Sequence, residues 1–290
     1  MKILILQNRM GIGDMIMFLP FIEAISKKFK TPVTILAKKN TKVEMYFNNK
    51  EIVEEIMYLE RDDNKKHSGV KGFFKLVNEL KLKKFDKVFI FNSSLRYFLI
   101  SKFSGIKEVF HYPLFKKKNQ QIIEAAKEFT LKSIGEDIES TPRLFLKEQD
   151  ILKAKKDHSI DQSITNIILG IGGSGKTKRV PASIFKSFMS KVLKRSNCRF
   201  FLMTGNNIDE LKIMNEIIES EYKEYCTPLN NFTIKEILPI IPNCQIAICN
   251  DSSFSHLSAG LGIKTIVLMV DTPLISVSYT HLTLPTTTIV

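Results

Sequence analysis

The segment GIGGSGKTKRVP, residues 170–181, combines glycines with closely spaced cations in a pattern that suits phosphate binding. Its first eight residues fit G-x-x-x-x-G-K-[ST], the P-loop pattern in which backbone N–H groups and a lysine hold nucleotide phosphates. In that interpretation Lys176 and Thr177 would bind ATP or GTP together with magnesium. Lys178 and Arg179 follow directly. The segment is therefore a candidate diphosphate site under more than one interpretation.

The position of the next helix argues against a P-loop. In a P-loop the helix begins at the Gly-Lys-Ser/Thr itself, so that its first N–H groups point at the phosphates. Here the apolar stripe that starts at Ile184 places Pro181 at or near the first helical position, which proline favours. A helix begun at Lys176 would carry Pro181 in its interior, at a cost of about 3 kcal/mol. We therefore predict that residues 176–179 form a loop, and a P-loop phosphotransferase stays the alternative.

Two other groups of polar residues follow predicted strands. Asp14 comes after the turn Gly-Ile-Gly, where a carboxylate either caps the next helix or takes a proton from a hydroxyl as a general base. Near the end of the chain, the strand QIAICND continues into Ser252 and Ser253, and His256 comes five residues after Asp251. Helix capping explains one of these residues alone, whereas the whole group indicates a binding site.

The composition is that of a globular protein with an excess of positive charge. Apolar residues make up 44% and charged residues 25% of the 290 residues, a length that favours two domains. The apolar runs are shorter than the roughly 18–20 residues of a membrane span, and the N-terminus lacks signal-peptide regions. We therefore expect a cytoplasmic protein.

The positive charge has two interpretations. Lysine and arginine outnumber aspartate and glutamate by 43 to 30. The excess lysines either form a solvated surface without a partner or attract an anionic partner, such as a phosphorylated sugar or an acidic lipid surface. A nucleic-acid partner is not expected, because the sequence has no basic motif interleaved with aromatic residues.

Hydrophobic patterning predicts two consecutive α/β domains. Unbroken apolar runs such as VTILA and KVFIFN are typical of strands in a parallel sheet that is covered on both faces. A polar stretch at residues 136–166 separates the two strand–helix series. We predict domains at residues 1–150 and 151–275, with ligands at the carboxyl ends of the strands. Residues 276–290 lack the expected next helix, and we predict a non-native tail that replaces the natural C-terminus.

Three blocks of the sequence resemble glycosyltransferase family 9, typified by the ADP-heptose:lipopolysaccharide heptosyltransferases. They stand in the family's order over residues 1 to about 275: ILILQNRMGIGDMIMFLPFIEAI, then LGIGGSGKTKRVPASIF with MTGNNIDE, then FTIKEILPIIPNCQIAICNDSSFSHLSAGLGIKTIVL. The Gly-Asp turn near the start and the Asp-Ser-x-x-x-His-Leu-x-Ala block near the end are the most specific parts. The resemblance implies an α/β GT-B fold of two facing Rossmann-like domains with parallel sheets, the second incomplete at its C-terminus.

The resemblance also implies roles for individual residues. Asp14, in a loop with Gly11 and Gly13 on the acceptor side, would be the catalytic base for an acceptor hydroxyl. Lys178 would contact the phosphate of the donor, and so would Ser174, four residues before it. The first domain would bind the acceptor and the second domain the nucleotide-sugar.

Further residues of the second domain would complete the donor site. Glu210, with Asp209 beside it, would hold the ribose, and Phe232 would contact the adenine. Contacts to the sugar and the diphosphate would come from Asp251, Ser252, Ser253 and His256.

The implied activity is inverting, metal-independent transfer of a sugar to a lipopolysaccharide-core or related glycan. The family's best-known donor is ADP-heptose, and no cofactor or metal is expected, because the sequence lacks the Asp-x-Asp triplet that holds magnesium in glycosyltransferases of the other major fold. An anionic glycolipid acceptor at the cytoplasmic face of the inner membrane would suit the lysine-rich surface. A non-catalytic nucleotide-sugar-binding protein is a further alternative, because the family's last helices are missing and we expect this chain to fold poorly or to be inactive.

Overall fold

The computed structural model describes residues 1–9, 11–47, 49–62, 65–114, 121–173 and 175–270, together with the backbone of residues 283–285. The chain divides into two compact units, Met1–Pro142 and Arg143–Val290. The division lies inside the polar stretch at residues 136–166. None of the helices in the described ranges is long and apolar enough to cross a membrane.

The first unit is built on a five-stranded parallel sheet with the strand order β3-β2-β1-β4-β5. Its strands are β1 (Ile3–Gln7), β2 (Val33–Ala37), β3 (Val53–Tyr58), β4 (Lys87–Ile90) and β5 (Glu108–His111). Its helices are α1 (Ile12–Phe29), α2 (Gly69–Lys83), α3 (Leu95–Phe103) and α4 (Ile122–Ile134).

Helices cover both faces of this sheet. On one face α2 and α3 pack on β1 and β4 through a buried apolar cluster that includes Leu4 and Tyr97. On the other face the ring of Phe91, just after β4, meets rings from two helices edge-on, with centroids 5.2 Å from Phe18 of α1 and 5.1 Å from Phe129 of α4. Because both faces are covered, the strands read as continuous apolar runs, which explains the pattern seen in the sequence.

Helix α1 begins earlier than the sequence pattern suggests. The turn expected at Gly-Ile-Gly already ends at Gly11, which has φ +111° and ψ 156°, a conformation that favours glycine. The helix therefore starts at Ile12, and Pro20 lies in its interior. Its ring removes one backbone hydrogen bond, and the fully buried neighbours Leu19 and Phe21 hold the helix on the sheet despite that loss.

The second unit is built on a six-stranded parallel sheet with the strand order β11-β10-β9-β6-β7-β8. Its strands are β6 (Thr165–Gly170), β7 (Cys198–Met203), β8 (Cys226–Pro228), β9 (Ile246–Asn250), β10 (Lys264–Met269) and β11 (Thr283–Pro285). Its helices are α5 (Glu148–Asp157), α6 (Ala182–Leu193), α7 (Ile208–Ile218), α8 (Ile234–Ile237) and α9 (Ser253–Gly260). Most of the predicted tail at residues 276–290 lies outside the described residues, and β11 within it pairs with β10.

Candidate functional site

The strand order reverses once in each sheet, and the polar residues singled out in the sequence follow the strands on either side of that point. In the second unit the chain runs from β6 to β7 and β8, then returns to place β9 on the other side of β6. Ligands of open parallel sheets bind outside the carboxyl ends of the strands at such a reversal. The loop 171–180 leaves the carboxyl end of β6, and residues 251–252 leave that of β9. The topology therefore brings these two segments to one edge.

The glycine-rich loop does not continue into a helix at its Gly-Lys-Thr. Pro181 has an extended backbone and immediately precedes α6, which confirms the predicted position of the helix start. The prediction of an open loop over residues 176–179 was wrong in part, because Lys176–Lys178 form one 3₁₀ turn in which the Lys178 N–H donates to the Gly175 carbonyl over 3.1 Å. A single such turn satisfies backbone groups locally without aligning a helix on the loop. Ser174 lies outside the described residues.

Lys178 connects the loop to the end of β9. Its Nζ lies 2.7 Å from Oδ2 of Asp251, and both side chains are partly exposed. Lys176 and Thr177, the residues that a P-loop would use, are the first two residues of the 3₁₀ turn, and both are exposed. Of the two lysines, Lys178 is therefore the one whose ammonium group is fixed where the loops from β6 and β9 meet.

Arg179 braces the loop from inside. Its Nε donates to the Gly175 carbonyl over 3.1 Å, and its guanidinium lies 3.3 Å from the Asp209 carboxylate on α7. The side chain is only 7% exposed. The sequence suggested a third phosphate-binding cation here, but the structure gives Arg179 protein partners on both sides.

Glu210 ties the same loop to the end of β7. Its Oε1 accepts the Gly173 N–H over 3.2 Å, and its Oε2 accepts the Gly205 N–H over 2.7 Å. A Cβ added at Gly205 would lie 3.0 Å from Oε2, so the backbone approaches this carboxylate as closely as a glycine allows. The carboxylate therefore joins two loops at neighbouring strand ends.

Replacing Glu210 by glutamine tests this bracing role. The amide would place an NH₂ group against one of two backbone N–H donors, and leaving a buried donor unsatisfied costs about 1–3 kcal/mol. We expect a loss of that size in the free energy of unfolding, measured by denaturant titration. Glu216→Gln, on the exposed side of the same helix, is the matched control and should change stability by less than about 0.5 kcal/mol. Equal effects of the two substitutions would contradict the bracing role.

Asn250 is a site residue that the sequence reasoning missed. It is the last residue of β9 and is fully buried. Its Nδ2 donates to the Ile171 carbonyl over 2.7 Å, and its Oδ1 accepts the Val180 N–H over 3.4 Å. One side chain thus holds both ends of the glycine-rich loop. The available signal was an amide at the end of an otherwise apolar strand, where a buried polar group needs backbone partners.

Asn250→Ala should loosen the loop without removing any charge. Two buried backbone groups would lose their partner, and we expect the free energy of unfolding to fall by about 2 kcal/mol. Asn250→Asp keeps the acceptor for the Val180 N–H but places a carboxylate oxygen against the Ile171 carbonyl, so it should lower the free energy of unfolding by at least as much as Asn250→Ala. Denaturant titration measures both variants, with the exposed Asn215→Ala on α7 as control. If Asn250→Ala changes the free energy of unfolding as little as Asn215→Ala does, Asn250 does not hold the two ends of the loop.

Helix α9 begins directly after Asp251. Ser252 is its N-cap residue and Ser253 its first residue, and the Ser255 hydroxyl donates to the Ser252 carbonyl over 2.7 Å. The Ser252 Oγ is buried and makes no hydrogen bond to another described residue. His256 lies half-buried in the first turn. Backbone N–H groups and the positive end of the helix dipole thus lie beside Asp251, as in anion sites at helix N-termini.

Phe232 follows β8 and precedes α8, whose first turn is fixed by a capping box between Thr233 and Glu236. The Phe232 ring is partly exposed and meets the His158 ring edge-on, with 5.1 Å between centroids. Along the carboxyl edge of the second sheet, the order is therefore the end of β9 with Asp251, the loop after β6, Glu210 after β7 and Phe232 after β8.

In the first unit, Asp14 lies at the reversal between β1 and β4. It is the third residue of α1, and the N-cap position that we considered for it is occupied by Gly11, while Gly13 is the second helical residue. Its Oδ1 lies 3.5 Å from the Arg9 guanidinium, and the side chain is partly exposed.

Asn92, which the sequence reasoning also missed, donates from Nδ2 to Asn8 Oδ1 over 2.8 Å and joins the ends of β1 and β4. In the described ranges no group of three or more His, Cys, Asp or Glu residues could hold a metal.

Three solved glycosyltransferases have a fold similar to that of this chain. ADP-heptose lipopolysaccharide heptosyltransferase II of E. coli has a TM-score of 0.71 and 18% identity, over 98% of this chain and 89% of that one. A family 9 glycosyltransferase of Veillonella parvula DSM 2008 has a TM-score of 0.73 and 17% identity, over 98% and 86%. E. coli heptosyltransferase WaaC, solved with ADP-2-deoxy-2-fluoro heptose, has a TM-score of 0.66 and 13% identity, over 98% and 93%. These matches confirm the predicted α/β, GT-B-like fold class.

A search of curated protein sequences finds no match. The family model of glycosyltransferase family 9 (heptosyltransferase) matches residues 108–285, which is more than half of the chain. This match covers the glycine-rich loop and the block around Asp251, and it confirms the family resemblance found in the sequence. The chain therefore belongs to glycosyltransferase family 9 and is a glycosyltransferase.

Proposed function

We propose that the protein transfers a sugar from a nucleotide-sugar to a glycan acceptor, with inversion at the anomeric carbon and without a metal ion. ADP-heptose is the first candidate donor, and a lipopolysaccharide-core or related glycan is the first candidate acceptor. One observation carries the proposal. The four groups on the carboxyl edge of the second sheet follow the order of the parts of a nucleotide-sugar: sugar, diphosphate, ribose and base.

The length of this edge fits such a donor. Neighbouring strands lie about 4.8 Å apart, so the three spacings from β9 to β8 span about 14 Å. Lys178 at the loop after β6 would bind the diphosphate, together with Ser174 of the same loop. The N-terminus of α9 would bind the sugar side of the diphosphate, with contacts from Ser252, Ser253 and His256. Asp251, whose charge Lys178 offsets, would accept hydrogen bonds from hydroxyl groups of the sugar.

The nucleoside would lie over β7 and β8. Glu210 Oε1 accepts one N–H in the described structure, and a carboxylate oxygen can accept two, so it keeps capacity for a ribose hydroxyl. Asp209 is half-exposed beside it and offers a second acceptor. The partly exposed face of Phe232 suits an adenine ring, which has a π-face that stacks on aromatic side chains.

The transfer step needs a base and a group that stabilises the departing diphosphate. Asp14 would take the proton of an acceptor hydroxyl, and the oxygen would attack the anomeric carbon on the face opposite the diphosphate. The bond between that carbon and the diphosphate oxygen breaks, and the nucleoside diphosphate leaves with the electron pair. Lys178 and the N-terminus of α9 would stabilise this added charge, which is the task that a metal ion performs in other transferases.

The acceptor is proposed to be an anionic glycolipid. The chain carries 43 lysine and arginine residues against 30 aspartate and glutamate residues, so an anionic acceptor or membrane would be attracted to it. A glycolipid acceptor also places the reaction at a membrane surface. We therefore propose contact with the cytoplasmic face of the inner membrane, without insertion.

A donor panel tests the proposed donor site. Thermal stabilisation of the full chain is measured with ADP-sugars, UDP-sugars and ATP, each with magnesium and with EDTA. We expect stabilisation by an ADP-sugar that persists in EDTA, is lost in Lys178→Ala and is kept in Lys176→Ala. Stabilisation by ATP that requires magnesium and fails in Lys176→Ala would contradict the proposal and support a P-loop phosphotransferase. Tight donor binding without transfer to any glycan would indicate a non-catalytic binding protein.

A further inference from the structure

The outer surface of α2 and α3 exposes apolar side chains that the core of the first unit does not use. Val70 and Phe74 are 73% and 56% exposed, and Phe103 is 62% exposed. Val70 and Phe74 lie four residues apart on α2 and therefore share one helix face. The Phe73 ring connects the two helices, with centroids 5.2 Å from Phe74 and 6.1 Å from Phe103. The exposed apolar residues thus belong to one continuous surface.

Basic side chains surround these apolar residues. We define the α2–α3 patch as Val70, Phe74 and Phe103 together with the exposed lysines Lys71, Lys75 and Lys102. Every other charged residue on the two helices is also basic, with the exception of Glu79. Glu79 is already neutralised, because it lies 2.8 Å from Lys66 Nζ and 3.1 Å from the His67 ring. The patch is therefore apolar at its centre and positive around it.

The packing of the two helices leaves this surface outside the fold. Their buried side chains, such as Leu76, Leu80 and Ile100, belong to the core cluster against the sheet. Solitary exposed apolar residues are common, but a connected aromatic group flanked by like charges requires a partner or carries a cost in solubility. A second copy of the same patch is a poor partner, because it would place lysines against lysines.

We infer that the α2–α3 patch docks the protein on an anionic lipid bilayer. Phenylalanine and valine side chains would enter the boundary between headgroups and acyl chains, while the lysine ammonium groups stay at the level of the anionic headgroups. The positive charge around the patch is complementary to an anionic bilayer surface, whereas a neutral apolar surface would leave this charge without a counterpart. Docking is peripheral in this arrangement, and it requires no membrane-spanning helix.

The location of the patch connects membrane docking with delivery of the acceptor, a step that rests on the proposed function. Helix α2 follows β3, so Val70 and Lys71 in its first turn lie towards the carboxyl edge of the first sheet, which is also the edge of Asp14, whereas Phe103 is the last residue of α3. A bilayer at this surface would present a lipid-borne acceptor near that edge. The binding itself needs neither donor nor acceptor, so it can be measured independently of sugar transfer.

Vesicle co-sedimentation of the full chain tests the inference. The vesicles contain phosphatidylcholine alone or phosphatidylcholine mixed with phosphatidylglycerol, each at low and high salt. We expect binding to the anionic vesicles that weakens at high salt, and little binding to phosphatidylcholine alone. Phe74→Ser with Phe103→Ser should weaken partitioning by more than about tenfold, since burial of an aromatic side chain is lost twice. Lys71→Glu with Lys75→Glu should weaken partitioning onto anionic vesicles by more than tenfold, because the loss of each lysine alone accounts for about fivefold.

Matched variants on the second unit control for exposure and net charge. Phe145→Ser replaces a phenylalanine that is even more exposed than Phe74 and Phe103, and Lys191→Glu with Lys194→Glu makes the same change in charge on and just after α6. Both controls should bind anionic vesicles within about twofold of the original chain, since they lie outside the patch. Thermal unfolding and donor binding of every variant show that the fold and the donor site are intact.

Three results would overturn the inference. The first is equal binding by patch and control variants, and the second is equal binding to neutral and anionic vesicles. The third is a dimer that Phe74→Ser with Phe103→Ser converts to a monomer, while vesicles bind no protein. Failure of sugar transfer alone would contradict the proposed function but not the docking of the patch, because vesicle binding is measured without donor or acceptor.

Discussion

Asp14→Asn is expected to lower the rate of sugar transfer by about 10²–10⁴-fold, the range that a positioned general base contributes. The side chain keeps its shape but no longer takes a proton from the acceptor hydroxyl. Donor binding should stay within about twofold, since the proposed donor site lies on the second unit. Single-turnover transfer measures the rate, and thermal stabilisation by the donor measures binding.

Stability provides a check on this variant. Asp14 lies in the first turn of α1, where a negative charge interacts with the helix dipole, so its loss should cost about 0.3–1 kcal/mol of folding free energy. That is too little to unfold the protein and cannot account for a large loss of rate. Asp62→Asn, an exposed carboxylate after β3, is the matched control and should transfer at the original rate. A transfer rate for Asp14→Asn within about threefold of the original would exclude its role as the base.

Lys178→Ala is expected to lower transfer by about 10²–10³-fold, as does removal of one donor that stabilises a developing charge. Two effects add in this variant. The diphosphate loses its cation, and the Asp251 carboxylate, which lies 2.7 Å from Lys178 Nζ, is left to repel the diphosphate. Donor affinity should therefore fall together with the rate. Lys176→Ala removes a neighbouring exposed lysine and should change both by less than about threefold.

The double variant separates these two effects. Lys178→Ala with Asp251→Asn removes the cation and the repelling carboxylate together, so it should bind the donor more tightly than Lys178→Ala alone. The recovery measures the repulsion, and the remaining loss measures the direct contact of Lys178 with the donor. The double variant is compared with the two single variants, Lys178→Ala and Asp251→Asn. If its loss of donor affinity equals the sum of their losses, Asp251 acts on the donor independently of Lys178. If Lys176→Ala has the larger effect, the loop functions as a P-loop instead.

Elements with strong local signals could be predicted from the sequence. Pro181 fixed the start of α6, and Gly135, which has φ +74°, ends α4 where a glycine stop is expected. The apolar runs of β2 and β4 identified buried parallel strands, because both faces of the sheet are covered. The short strand β8 has only three residues, Cys-Thr-Pro, and its pairing with β7 depends on tertiary contacts that no local pattern encodes.

The site was predictable where residue chemistry is distinctive and not where it depends on the folded chain. Asp14 and Asp251 could be selected because charged groups after strands are conspicuous, whereas the family resemblance selected Lys178 over Lys176. Strand order then explains why Lys178 and Asp251 meet. Asn250 escaped notice because its role is to hold backbone groups 70 and 79 residues away in sequence. Arg179 was misread because only the fold shows that it is buried against Asp209.

Sugar transfer changes the mass of the acceptor, and this mass after reaction with a nucleotide-sugar tests the proposed activity directly. The protein is incubated in EDTA with ADP-heptose and a lipopolysaccharide-core glycan that lacks heptose, and the glycan is analysed by mass spectrometry. We predict a gain of one heptose per glycan, an equal amount of ADP released, and neither product with Asp14→Asn. An unchanged glycan mass, although ADP-heptose is shown to bind and Lys178→Ala abolishes that binding, would contradict sugar transfer to this class of acceptor.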